Sequence, residues 1–122
     1  MHLTQIKRKL GISGISTEAS SWRYVPLKKN KDGEKEEKGA QIDLLIDRGD
    51  RIINLCEMKF SVKQYRITDS YEKALRDRMG IFQEKTKTTK ALAYTFVTTF
   101  GVADGAHRSI VNNEVVMEDL FA

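Results

Sequence analysis

The chain has 122 residues, of which 40% are hydrophobic and 31% are charged, and its formal net charge is +4. A chain of this length and composition is expected to form one domain with a modest core of its own. No run approaches the roughly 18 apolar residues that span a bilayer, and the N-terminus lacks the apolar stretch of a signal peptide, so we expect no membrane association. The single cysteine, Cys56, has no partner in the chain, and a reduced, cytoplasmic setting fits best.

The first predicted elements are a short helix and a strand. Apolar residues at helical spacing predict a helix over residues 3–10 that ends at Gly11. Residues 21–25 are predicted to form a strand that Pro26 terminates. The helix begins only two residues into the chain, which suggests a fragment of a longer protein.

The region between Lys28 and Lys38 carries much of the basic excess but mixes lysine with aspartate and glutamate. Mixed charge is typical of a solvated surface rather than of a track of phosphate contacts, so residues 28–39 are predicted to form a mobile charged loop. A net charge of +4 and a pI near 9.2 are compatible with a nucleic-acid partner without requiring one.

Two short apolar segments carry charged residues in their centres. They read Gln41-Ile-Asp-Leu-Leu-Ile-Asp47 and Asn54-Leu-Cys-Glu-Met-Lys-Phe60, and both have the composition of buried strands. Burying a carboxylate or an ammonium is costly unless the charge is paired or binds a metal. Asp43, Glu57 and Lys59 therefore indicate either a functional site or a structural ion-pair cluster.

A turn-rich break at Arg48-Gly-Asp-Arg51 predicts a β-hairpin between these segments. With a loop of residues 49–51, Asp43 falls opposite Glu57, whereas a two-residue loop would send Glu57 to the other face. Glu57 and Lys59 are two residues apart and share a face of their strand. We therefore expect the three charged side chains to converge.

Three such side chains outline a site for phosphodiester hydrolysis. Two carboxylates can hold a hard divalent cation such as Mg²⁺, which prefers oxygen ligands and keeps several waters. The adjacent lysine could orient or help deprotonate a water and offset the charge that develops on a phosphate.

A long helix and a strong strand are predicted to follow the hairpin. A capping box at Asp69 and Glu72 predicts a helix from Asp69, as the N-cap, to about Lys85. The apolar run at residues 91–100 predicts a strand, so that the helix would cross over between two parallel strands. The inward stripe of the helix is predicted to be Tyr71, Leu75, Met79 and Phe82.

The last part of the chain is predicted to contain short elements. Strands are expected at residues 109–111 and 115–116, and one helical turn over residues 117–121 is expected to dock Leu120 and Phe121 on the core.

Asp43 on one strand and Glu57-Met58-Lys59 on the next resemble the PD-(D/E)XK nuclease superfamily. A closer likeness, over nearly the whole chain, is to the C-terminal region of a group of bacterial AAA-type ATPases. The segments that carry it are Gly11-Ile-Ser-Gly-Ile-Ser, Ser20-Ser-Trp22, Gly39-Ala-Gln-Ile-Asp-Leu-Leu-Ile-Asp47, Ile53-Asn-Leu-Cys-Glu-Met-Lys-Phe60 and Glu118-Asp-Leu-Phe121.

The resemblance implies an α/β fold of the restriction-endonuclease type, with a mixed central sheet of four or five strands and helices on both faces. It implies hydrolysis of DNA with Mg²⁺, for which Mn²⁺ can substitute. Asp43, Glu57 and the carbonyl of Met58 would bind the metal, and Lys59 would position the attacking water. An ATPase domain would lie upstream in the same parent protein.

The resemblance also suggests supporting residues. Nucleases of this superfamily often add a metal-binding glutamate from the first helix, but residues 3–10 contain no acid, and Glu18 is the nearest candidate. Gln41 shares the strand face of Asp43 and either supports the site or is a sheet-edge residue. The long helix offers candidate DNA contacts, for which a solvated helix face is the alternative: Lys73, Arg76 and Gln83.

Two functions remain open on the sequence. The intact set of Asp43, Glu57 and Lys59 favours a metal-dependent nuclease. The missing acid, and the many members of the superfamily that look inactive, favour a non-catalytic module that binds nucleic acid or a partner and regulates the attached ATPase.

Overall fold

A five-stranded mixed sheet organises the protein in the computed structural model, which describes residues 3–26 and 39–121. The predicted charged loop at residues 28–39 lies outside the described residues except for Gly39. In chain order the elements are α1 Leu3–Lys9, β1 Thr17–Tyr24, β2 Ala40–Arg48, β3 Ile52–Lys59, α2 Asp69–Thr86, β4 Ala91–Thr98, a 3-10 helix at Arg108–Ile110, β5 Asn113–Val116 and α3 Met117–Leu120. In these two ranges no helix combines the length and the apolar character needed to cross a membrane.

The strands lie side by side in the order β1-β2-β3-β4-β5. The β1–β2 and β2–β3 pairs are antiparallel, whereas the β3–β4 and β4–β5 pairs are parallel. The predicted α/β class with a mixed central sheet is therefore confirmed.

The hairpin of β2 and β3 has the predicted three-residue loop. The strands end and begin at Arg48 and Ile52, and Arg51 takes the left-handed conformation with φ 70°. The ladder pairs Asp47 with Ile53 and Leu44 with Cys56, which is the register that a loop of residues 49–51 produces.

Helix α2 makes the predicted crossover between the parallel strands β3 and β4, but its N-cap differs from the prediction. The cap is Thr68, in an extended conformation, whose hydroxyl accepts a hydrogen bond from the amide of Tyr71. Asp69 is the first helical residue instead. A threonine hydroxyl serves this role as an aspartate carboxylate would, and Asp69 remains in the first turn, where a negative charge favours the helix.

Two apolar clusters bury the two faces of the sheet. Leu55 of β3 packs on the α2 side with the predicted inward stripe of the helix, which is thereby confirmed: Leu75 and Phe82 are buried, and Tyr71 and Met79 are partly buried against the same cluster. Its neighbour Cys56 packs on the opposite side with Ile6 of α1. Strand β3 is thus covered on both faces, as its continuous apolar sequence indicates.

The C-terminal part departs from the predictions in three places. The predicted strand at residues 109–111 is instead largely the 3-10 helix, and β5 begins at Asn113. Leu120 docks on the core as expected, but Phe121 is 73% exposed. The predicted strand at 91–100 ends at Thr98, and Phe100 beyond it is 56% exposed.

Candidate active site

The two carboxylates of the predicted site lie where β2 and β3 separate. The ladder between these strands ends at the pair Leu44–Cys56. Beyond it, β2 continues beside β1 to Ala40, whereas β3 continues beside β4 to Lys59. Asp43 and Glu57 are the first residues past the last pair, one on each side of the opening.

A β-bulge in β2 lies at this opening. Ser20 pairs with Leu45 and Trp22 pairs with Ile42, so two steps along β1 correspond to three steps along β2. Ile42 packs on the α2 side of the sheet, although Leu44, two residues later, packs on the other side. A bulge re-aims the side chains around it, so the regular alternation used in the sequence prediction does not hold at Asp43.

Glu57 is a buried acid with two partners on α2. It is only 8% exposed. The hydroxyl of Tyr71 donates to its Oε1 at 2.9 Å, and Nη1 of Arg78 donates to the same oxygen within an ion pair. Because both hydrogen bonds end on Oε1, Oε2 is the oxygen that a further ligand can use.

The environment of Glu57 shifts the pKa values of its two partners. Burial, and then the negative charge of Glu57, raise the pKa of the Tyr71 hydroxyl above its usual range, so the hydroxyl keeps its proton and donates it. Burial lowers the pKa of Arg78, but the charge of Glu57 and the hydrogen bond to it outweigh that effect and raise the pKa overall. Arg78 is therefore a permanent positive charge beside Glu57.

Lys59 lies near Glu57 but pairs with aromatic rings. Its Nζ lies 4.9 Å from the centroid of the Tyr71 ring and 6.0 Å from that of Tyr65. A lysine ammonium over the face of a tyrosine is attracted by the electron density of the ring. Tyr71 consequently contacts both candidate site residues of β3, Glu57 through its hydroxyl and Lys59 through its ring.

Asp43 is exposed and is oriented by Gln41. The amide Nε2 of Gln41 donates to Oδ1 of Asp43 at 2.8 Å. The contact joins the two side chains, and a supporting role for Gln41 at the site stays a prediction. Asp43 and Glu57 thus have separate partners in this structure, Gln41 for the first and the α2 residues for the second.

The oxygen donors at this opening suit a hard cation. Two carboxylates with waters match the way in which Mg²⁺ binds, since it uses one or two protein carboxylates together with substrate phosphates. Met58 pairs with Val97 of β4, and its carbonyl is the third ligand that the resemblance suggests. Within the described residues no group of three or more His, Cys, Asp or Glu side chains could hold a metal ion, so the fit depends on two acids and main-chain or water oxygens.

Glu18 does not join this cluster. It pairs with Asp47 at the hairpin end of the sheet. Asp47 and Asp43 are four residues apart, or about 13 Å along a strand. Glu18 is thus placed at the wrong end of β2 to be a third metal ligand.

The three candidate DNA contacts on α2 lie on its exposed surface. Lys73 and Gln83 are exposed, and Arg76 forms an ion pair with Glu72, with Nε and Oε2 at 2.9 Å. An open cavity of about 640 Å³ lies beside Arg76, between α2 and Tyr24 of β1. Its lining does not contain Asp43, Glu57 or Lys59 among the described residues.

Sequence reasoning missed two members of the site. Tyr71 was assigned to the core stripe, and Arg78 was not singled out. The signal was available, because residues 71 and 78 are seven apart and lie on one side of a helix. A buried glutamate two residues before a lysine requires a second cation or donor, and the helix that covers the strand is where such partners are expected.

Comparison with known proteins identifies no relative: no family model, no curated protein and no solved structure matches this chain.

Proposed function

We propose that this chain is a metal-dependent, nuclease-type domain that hydrolyses DNA phosphodiester bonds. The observation that carries the proposal is the buried Glu57, with Oε2 free of its two α2 partners, at the point where β2 and β3 separate beside Asp43. A buried carboxylate near a lysine and a second acid, at the point where two strands separate, is a candidate functional site. The resemblance to the PD-(D/E)XK superfamily supports the same reading.

Each residue has a role that follows from its position. Asp43 and Glu57, with the Met58 carbonyl, would hold the Mg²⁺ or Mn²⁺ ion. When bound, such an ion supplies Lewis-acid stabilisation of the phosphate oxygens and lowers the pKa of water. Lys59, held over the Tyr71 ring, orients the attacking water and offsets the charge that develops on the phosphate.

The residues behind the site fix its geometry. Tyr71 and Arg78 hold Oε1 of Glu57, which fixes the direction of Oε2. Gln41 restrains Asp43 in the same way. Hydrogen bonds from outer residues to carboxylate ligands orient those ligands and tune their affinity for metal.

The partner of the site is proposed to be DNA. Lys73, Arg76 and Gln83 are exposed on α2, and basic side chains supply most contacts to the nucleic-acid backbone.

Plasmid nicking tests this function directly. The 122-residue chain is incubated with supercoiled plasmid and Mg²⁺ or Mn²⁺, and the relaxed form is quantified on a gel. We expect metal-dependent nicking that EDTA abolishes and that Asp43→Asn and Lys59→Ala lose, although both variants melt as wild type does. The absence of nicking, together with the absence of Mn²⁺ binding by calorimetry, would rule out the nuclease activity.

A second function is favoured by one contact. The ion pair of Arg78 with Glu57 satisfies the buried carboxylate without any metal, as expected in an inactive module that binds nucleic acid or a partner and regulates the attached ATPase. Such a module would bind DNA equally well with and without EDTA and would not cut it. Its affinity would fall as salt rises if phosphates are contacted.

A further inference from the structure

Arg78 balances the charge of the candidate site. Asp43 and Glu57 contribute two negative charges, and Lys59 and Arg78 contribute two positive charges, so these four side chains sum to zero. A divalent cation that approaches a neutral cluster gains little long-range attraction, and it meets a guanidinium that already occupies one oxygen of Glu57.

Arg78 is also placed to reach a second anion. It lies on α2, which buried Leu75 and Phe82 fix against the sheet. Its side chain is 25% exposed, whereas that of Glu57 is 11% exposed, so Arg78 is the more accessible member of the pair. A guanidinium presents five N–H donors in a planar fork. Of the guanidinium nitrogens of Arg78, Nη1 is the one that donates a hydrogen bond to Glu57. The same fork matches the geometry of a phosphate.

We propose that Arg78 couples metal binding to DNA binding. In the free protein it neutralises Glu57, and when DNA binds it transfers its hydrogen bonds to a backbone phosphate, which leaves the negative charge of Glu57 for the cation. This inference rests on the proposed function, because it assigns regulation to the same site.

The exchange is physically reasonable because the phosphate replaces Glu57 as the hydrogen-bond acceptor of Arg78, and the cation replaces Arg78 as the positive charge beside Glu57. A phosphate forms charge-assisted, bidentate hydrogen bonds with arginine, and these compensate for the lost bond to Glu57. Tyr71 keeps its own hydrogen bond to Oε1, so the carboxylate stays oriented while Arg78 moves. The result is a site that binds metal weakly alone and tightly on its substrate, which prevents metal capture without DNA.

Mn²⁺ titrations with and without DNA test the coupling. Bound Mn²⁺ is measured by electron paramagnetic resonance on the chain alone and on its complex with a short DNA duplex. The duplex carries phosphorothioate linkages, which keep the backbone charge and resist hydrolysis. The duplex without protein is the blank. For wild type we expect DNA to tighten Mn²⁺ binding about tenfold or more, within the usual range of coupling between two sites. Mn²⁺ must then tighten DNA binding by the same factor.

Three variants assign the coupling to Arg78. Arg78→Gln removes the charge but keeps hydrogen-bond donors, and it is expected to bind Mn²⁺ tightly without DNA and to show little coupling. Arg78→Lys keeps the charge and is expected to retain the weak binding of the free protein, which covers the case in which Arg78→Gln fails to fold. Lys85→Gln removes one charge elsewhere on α2 and is expected to behave as wild type.

The outcomes separate the inference from the proposed function. If wild type binds Mn²⁺ and Arg78→Gln has the same Mn²⁺ affinity as wild type in both conditions, without DNA and with it, the coupling through Arg78 is wrong and the metal site stands. If neither protein binds Mn²⁺ under any condition, the metal site itself is wrong.

Discussion

The guanidinium of Arg78 on α2 donates a hydrogen bond to the carboxylate of Glu57 on β3, and this pair joins the helix to the sheet at the candidate site. Glu57 is only 8% exposed, so the loss of a partner is costly there. The pair therefore affects both the stability of the protein and the chemistry available to Glu57.

Removal of Arg78 is expected to destabilise the fold. Arg78→Met leaves the buried Glu57 carboxylate without its cation, and breaking a buried pair in this way costs about 3 kcal/mol, at the lower end of the usual range because Arg78 is partly exposed. Urea denaturation followed by circular dichroism measures the change in the free energy of unfolding. The double variant Arg78→Met with Glu57→Gln is expected to recover much of the loss, and additive losses would show that the two residues do not interact.

The Tyr71 hydroxyl is expected to contribute separately. Tyr71→Phe keeps the ring under Lys59 but removes the hydrogen bond to Glu57, and a bond to a charged group contributes about 1.5 kcal/mol. Tyr65→Phe is the matched control, because it removes a hydroxyl from the neighbouring ring and leaves the bond to Glu57 intact. Equal losses for the two variants in urea denaturation would contradict the role assigned to Tyr71.

Cys56 is expected to be chemically inert in the folded protein. Cys56 lies in β3 and is fully buried on the face of the sheet that α1 covers. Burial, and then the charge of Glu57, raise the pKa of its thiol to about 12. A thiol reagent at pH 8 should therefore modify native protein far more slowly than protein unfolded in urea. Rapid labelling of the native protein, with no loss of its circular dichroism signal, would show that the cysteine is accessible.

The pH dependence of Glu72 follows from its partners. Hydrogen bonds with Arg76 and then with His107 hold the pKa of Glu72 below its ordinary value of 4.5. Because the folded protein binds fewer protons there than the unfolded chain, this contribution to stability is complete above pH 4.5 and is lost as pH falls through the folded pKa.

Carboxyl-detected NMR titration checks the Glu72 prediction. The Glu72 resonance of wild type should titrate below 4.5, and Arg76→Gln should move its midpoint upward. Arg66→Gln removes an equal charge from the loop before α2 and should leave the midpoint unchanged. If both variants shift Glu72 by the same amount, net charge rather than the hydrogen bond sets its pKa.

The fold was largely predictable because its determinants are local. Alternating and continuous apolar runs, the Arg48-Gly-Asp-Arg51 break and the spacing of Leu75 and Phe82 each fix an element and the face that it buries. The hairpin register followed from the loop length alone. The cap at Thr68 was missed because threonine and aspartate stand side by side there and either can accept the bond.

The site was predictable only in part, because its partners are distant in sequence. Glu57 and Lys59 share a face by simple alternation, but the bulge at Asp43 breaks that alternation through pairing with β1, which the β2 sequence does not encode. Arg78 reaches Glu57 only through the packing of α2 on the sheet. The exposure of Phe100 and Phe121 likewise depends on where the strands and the last helix stop.

The central claim, that Asp43 and Glu57 share a divalent cation, is tested most directly by the anomalous scattering of crystals soaked in Mn²⁺. We predict one strong anomalous peak at the opening between β2 and β3, within coordination distance of Oε2 of Glu57 and of the Asp43 carboxylate, and its loss in Asp43→Asn. A map without a peak at this position at saturating Mn²⁺, in crystals of Arg78→Gln as well as of wild type and with the opening free of lattice contacts, would contradict the account.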